Sequence, residues 1–152
     1  MTNFGQLDEQ LDAYDIAFTF KGKEYQITPS VQEVLTFHRE LGKEQTRLAE
    51  NNQFDDGLGV WARVAPLLGS KFTRSTGKFT GGILAELEKA GASFSQMERL
   101  VSAVHLKYTQ SDDLAKAYFA TGNLKKAWEK MSNADQPSPE TPKDAGETNG
   151  DA

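Results

Sequence analysis

Hydrophobic residues along this chain recur at two periods, and the places where the period changes mark its elements. Leu7, Leu11 and Tyr14 share one helical face and predict a short opening helix. Ile16, Phe18 and Phe20 then alternate with polar neighbours at period two. Lys21-Gly22-Lys23 reads as a turn, and the segment from Glu24 to Ile27 returns, so Ile16–Ile27 predicts a β-hairpin. A lone hairpin is marginal in water, so it must pack on the helices that follow.

Those helices are marked by their caps. Thr28-Pro29-Ser30 with Glu33 three residues after Ser30 is a helix start, and Val31, Val34, Leu35, His38, Leu41 and Leu48 trace its apolar stripe. Asn51 to Gly59 is polar and reads as a loop. Val60 to Leu68 predicts a second helix that Pro66 kinks or ends. Gly69 to Gly82 reads as a loop in which Lys71, Arg74 and Lys78 surround Phe72 and Phe79. Ile83 to Ala90 predicts a third helix closed by Gly91. Ser93 with Gln96 caps a fourth, with Phe94, Met97, Leu100, Val101, Val104 and Tyr108 turned inward. A short helix from Ser111 or Asp112 stops at Gly122, and Leu124, Ala127, Trp128 and Met131 form the last stripe.

Beyond Met131 the pattern ends. Ser132 to Ala152 holds Pro137, Pro139 and Pro142 but no aromatic, Ile, Leu, Val or Met. Such a segment cannot bury enough apolar surface to offset its ordering entropy, and we expect it to be disordered. Five acids stand there against Lys143, so the tail carries −4 of the net −5 and residues 1–131 are close to neutral. The predicted fold is therefore mainly α: a small helical domain over 1–131 with a short N-terminal β-hairpin, then a disordered acidic tail over 132–152.

Composition narrows the chemistry. The net charge argues against a generic nucleic-acid binder, whose affinity comes from Lys and Arg on phosphates. With no cysteine there is neither a disulfide nor a thiolate metal site. The N-terminus lacks the basic start and apolar run of a signal peptide, and no stretch approaches the roughly 20 apolar residues of a membrane helix, so a soluble intracellular protein is expected.

Motif tests then fail one by one. The stretch Ser75 to Thr80 resembles a phosphate-binding loop only in Gly77-Lys78, because Phe72 stands where the first glycine belongs and Phe79 where the hydroxyl belongs. His38 and His105 fall on different helices, each beside an apolar stripe, with no carboxylate at ligand spacing. Nothing points to a nucleophile, base and oxyanion donor acting together. The expectation is a protein without catalysis, cofactor or metal.

Two interaction candidates remain. Phe72 and Phe79 interleaved with Lys71, Arg74 and Lys78 resemble the mixture used on single-stranded nucleic acid, but loops whose aromatics close a core look the same. Leu124, Trp128 and Met131 lie on a helix that could dock on its own domain or on a partner. Both arrangements bury the same face.

The order of these elements resembles the tail assembly chaperones of long-tailed phages of actinobacteria. The resemblance begins with Phe4-x-x-Leu7-Asp8-Glu9-x-Leu11-Asp12, continues through the hairpin with Phe20, Gly22 and Tyr25, and reaches Ile27-Thr28-Pro29-Ser30. It resumes with Leu68-Gly69, Lys89-Ala90-Gly91, the Ser-capped helix from Phe94 to Tyr108, and Leu114 to Gly122. The basic segment Gly69 to Gly82 departs from the pattern. The resemblance implies a protein of the host cytoplasm that coats the tape measure protein, helps the tail tube assemble around it, and is absent from the mature virion. It also implies a longer form, made by programmed frameshifting, that binds the tail tube protein; this chain would be the short form, and self-association stays open. A head–tail connector or minor tail protein, and a helical nucleic-acid-binding regulator, are the competing readings.

Overall fold

The computed structural model describes residues 1–7, 15–52 and 57–134. Residues 8–14 of the predicted opening helix, residues 53–56 of the first loop, and the tail from Asp135 lie outside them. The elements are β1 (Ile16–Phe20), β2 (Lys23–Ile27), α1 (Val31–Glu50), α2 (Leu58–Val64), a 3-10 turn (Ala65–Leu68), β3 (Lys71–Thr73), β4 (Lys78–Thr80), α3 (Gly82–Lys89), α4 (Phe94–Thr109), α5 (Asp112–Thr121) and α6 (Leu124–Ala134). The fold is mainly helical with a short N-terminal antiparallel hairpin. Its helix α6 runs through Ala134, past the Ser132 boundary that composition suggested.

The chain divides into two compact units, Met1–His105 and Leu106–Ala152. In the first unit, β1 pairs antiparallel with β2, Ile16 opposite Ile27 and Phe18 opposite Tyr25. Lys21 and Gly22 both take positive φ, 50° and 80°, the conformation a two-residue hairpin loop needs to match strand twist. Phe18 stacks on Tyr25 at 5.0 Å. The turn is clipped to α3: Lys21 Nζ donates to the carbonyl of Ala90 at the helix end (2.9 Å), and Lys23 pairs with Glu86 (3.3 Å). A cation at a helix C-terminus is also favoured by the dipole.

Helix α1 starts at the expected capping box, with Glu33 N–H donating to Ser30 Oγ (3.1 Å) and Ser30 N–H to Glu33 Oε1 (2.9 Å). Its buried stripe is rotated from the expected one. Phe37 is the fully buried residue, with Val34, Leu41, Glu44 and Leu48 half-buried on its side. Val31 and Leu35 are 72% and 57% exposed, and His38 is exposed. The large Phe37 ring buries more area than any alternative, so it sets the helix's rotation.

Pro66 acts as its chemistry requires. Helix α2 ends at Val64 and tightens into a 3-10 turn that buries Ala65, Leu67 and Leu68 completely. Gly69, at φ 71°, leads out of it. The segment Gly69–Gly82 is then a second antiparallel hairpin, not a loop: Lys71 opposes Thr80, Phe72 opposes Phe79 and Thr73 opposes Lys78.

This hairpin leaves and returns through one tight point. Gly82 has φ 63°, and a Cβ there would overlap the backbone carbonyl of Gly69. Beside it, the buried Ser70 accepts from the N–H of Leu84 (3.1 Å) and donates to the carbonyl of Gly81 (2.8 Å). The N-cap residue of α3, Gly81, has no side chain, so Ser70 supplies the capping oxygen from the other end of the hairpin. Behind it α3 buries Ile83, Leu84 and Leu87, and α4 buries Met97, Leu100, Val101, Ala103 and Val104.

In the second unit, Ser111 caps α5 by accepting from Leu114 N–H (3.1 Å), and Gly122 ends it at φ 68°. Asn123 Oδ1 accepts from Lys126 N–H (3.0 Å) to start α6. The two helices close on Leu114, Ala117 and Ala127, flanked by Leu106, Tyr118 and Met131.

Ser70→Ala removes the only side-chain cap of α3 among the described residues and should cost about 1–2 kcal/mol. Gly82→Ala adds a backbone clash and should cost more, ~3 kcal/mol or above. Urea unfolding midpoints of the two variants check both the sizes and their order.

Candidate partner-binding surface

In an antiparallel pair, directly opposed residues project from the same face and their neighbours from the other. Phe72 and Phe79 oppose each other, so both lie on one face of the second hairpin, and both are half-buried. They meet Trp61 of α2, with ring centroids 6.3 and 6.4 Å away. Lys71, Thr73, Lys78 and Thr80 fall on the opposite, exposed face. The pairing thus separates the aromatics from the lysines that sequence had interleaved. A single-strand site, which needs cations and rings along the same track, loses its support.

Phe94 completes the aromatic cluster from outside. Ser93 starts α4 through a capping box with Gln96 (3.2 and 2.8 Å), which places Phe94 at the first helical position, outside the inward face expected for it. Its ring stacks on Trp61, centroids 5.9 Å apart and planes 11° from parallel, yet Phe94 stays 67% exposed. Leu58, three residues before Trp61 on α2, is exposed as well. Trp61, Phe94 and Leu58 therefore carry apolar surface outward while Phe72 and Phe79 support it from below.

The third cation of the segment is tied inward. Arg74 donates to Glu44 Oε1 (3.2 Å), which also receives Arg47 (2.7 Å). Glu44 is largely buried, and the hydrogen bonds of Arg47 and then Arg74 outweigh desolvation, holding its carboxyl at about 2 instead of 4.5. This triad fastens the hairpin turn to the last turns of α1. Above it, α1 and α2 border an open cleft of about 370 Å³ that includes Thr36, Phe37, Glu40, Arg63 and Arg74. Its carboxylates are engaged: Glu33 in the capping box, Glu40 with Arg39 (3.2 Å) and Lys43 (3.7 Å), Glu44 with its arginines.

Neither histidine meets a carboxylate cluster. His38 is exposed, and His105 is half-buried with its ring 5.9 Å from Phe37, edge to face. Among the described residues no group of three His, Cys, Asp or Glu could hold a metal ion, and no helix is long and apolar enough to cross a membrane. Ser75-Thr76-Gly77 forms the hairpin turn, where Gly77 N–H donates to Thr73 carbonyl (2.8 Å), so no helix N-terminus stands ready for a phosphate.

On α6 the last stripe is split. Ala127 is fully buried and Met131 half-buried against α5, whereas Leu124 and Trp128 are 45% and 49% exposed. Of the five sequence candidates, Phe72 and Phe79 support a surface, Met131 joins the interior of its unit, and Leu124 and Trp128 face out. Reasoning from sequence missed Trp61, Phe37 and the outward Phe94. A signal for the hairpin was present: Lys-Phe-Thr occurs twice, at 71–73 and 78–80, around a four-residue turn ending in glycine.

The architecture defines a small helical protein with two antiparallel hairpins and outward-facing aromatic residues. The chain belongs to the family described as domain of unknown function DUF7426, whose model matches residues 5–150. No curated protein and no solved structure matches it.

Because Glu44 is held below its ordinary value in the fold, its charge adds stability that is fully present above pH about 4.5. That stability is lost as the pH falls from there toward 2. Glu44→Gln should lower stability by about 1 kcal/mol at pH 7 and flatten the acid limb of a urea-midpoint against pH profile.

Proposed function

We propose that this chain is a tail assembly chaperone of a long-tailed actinobacterial phage, acting without catalysis on the tape measure protein in the host cytoplasm. The observation that carries the reading is the exposed Phe94 ring laid on Trp61, an apolar surface held in place by its own hairpin. The likeness in element order described above supplies the client. A cluster of large apolar side chains left in water, here Phe94 with Leu58 beside Trp61, is the kind of surface on which another chain docks.

A chaperone of this kind must hold a long client and then release it to the tail tube. Shallow apolar patches suit that requirement, since each contact is weak and many copies along one client add their strength through effective concentration. The acidic segment 135–152 keeps such an assembly soluble by like-charge repulsion. A longer frameshifted product would bring the tail tube protein. In this reading neither form remains in the virion.

The test is retention of the tape measure protein by the full chain and by Phe94→Ser. The full chain should retain it, and the substitution should reduce retention about tenfold, since losing one large apolar anchor removes about 1–2 kcal/mol. No retention by the full chain overturns the proposal. The gene should also carry a slippery heptanucleotide near its 3′ end with an overlapping downstream frame, which sequencing reads directly; an unbroken single frame overturns the two-form part.

A further inference from the structure

We propose that α6 pairs with α6 of a second copy of this chain, antiparallel across a two-fold axis. Ala127 and Met131 are spent on α5, so among the described residues of α6 the apolar edge left for a partner is that of Leu124 and Trp128. That edge borders a shallow groove with Lys125, Glu129, Ser132 and Asn133. Leu124 and Trp128 are four residues apart, as are Lys125 and Glu129, so an apolar row and a row of opposite charges run side by side along the helix.

This pattern is its own complement. A two-fold axis level with Lys126 and Ala127 sets Leu124 against the second copy's Trp128 and Lys125 against the second copy's Glu129. Every such contact is then made twice. A parallel two-fold arrangement would instead set the apolar row of each copy against the charged row of the other. A partner of uniform charge would leave either Lys125 or Glu129 facing its own sign. The charge order therefore selects a second copy, and selects it antiparallel. The patch is well below the roughly 800 Å² per partner of a standard interface, so the pairing is weak, with a dissociation constant on the order of 100 µM. Self-pairing needs no client, so it stands or falls separately from the tape measure reading.

Sedimentation equilibrium of the full chain across a range of concentrations at low salt tests it. The wild type should shift from monomer to dimer with concentration. Leu124→Ser with Trp128→Ser should remain monomeric with an unfolding midpoint near wild type, because both side chains are outside their unit's interior. Lys125→Glu or Glu129→Lys alone should weaken pairing about fivefold, the effect being doubled by symmetry, and the two together should restore it. A wild type that stays monomeric to millimolar concentration, a dimer indifferent to Leu124 and Trp128, or single charge changes that the double change does not repair would each overturn the proposal.

Discussion

Where the second hairpin leaves the 3-10 turn and re-enters α3, Gly82 passes the carbonyl of Gly69 so closely that it has no room for a Cβ. Much of the first unit depends on this closure. It places Ser70 where its hydroxyl can satisfy Leu84 N–H and Gly81 carbonyl, so one buried side chain both caps α3 and ties the hairpin shut. With the hairpin's ends fixed, the strand register follows, and with the register the two phenylalanines face Trp61. The Glu44 triad then secures the far end of the same hairpin to α1. The hairpin is thus held at its base by close packing and at its tip by charge.

The consequence for function is a separation of chemistries. The sheet pleat sends Phe72 and Phe79 one way and Lys71 and Lys78 the other. What reaches the surface beside Trp61 is Phe94, an aromatic with no polar atom, so the contact it offers is apolar. The second unit repeats the theme with different means. Its two helices bury small residues, Ala117 and Ala127, which bring them close, while Leu124 and Trp128 stay outside. Both surfaces are shallow, which in the proposed reading suits binding that must be undone.

The buried stripe of α1 shows how tertiary contacts revise a local pattern. Val31, Leu35 and His38 fit a helical period as well as Val34, Phe37, Leu41 and Leu48 do, and spacing alone does not choose between the two rows. Burial of the Phe37 ring chooses, and Val31 and Leu35 are left in water. On α4 the same logic leaves Phe94 outside: it stands in the first turn, laid on Trp61, while Met97, Leu100, Val101, Ala103 and Val104 fill the interior.

What the sequence determined by itself was local. The capping boxes at Ser30 and Ser93, the Ser111 cap, the Lys21-Gly22 turn, the break at Pro66 and the stop at Gly122 each join groups within a few residues, so their partners are legible in order. The tertiary structure alone decided the features linking residues far apart. It brought Ser70 to Leu84, Arg74 to Glu44, Trp61 to Phe94 and Lys21 to Ala90, and it parted α5 and α6 from the first unit. Such contacts depend on which of several equally periodic faces buries the most surface and on where two glycines let the backbone close, and no local spacing encodes either.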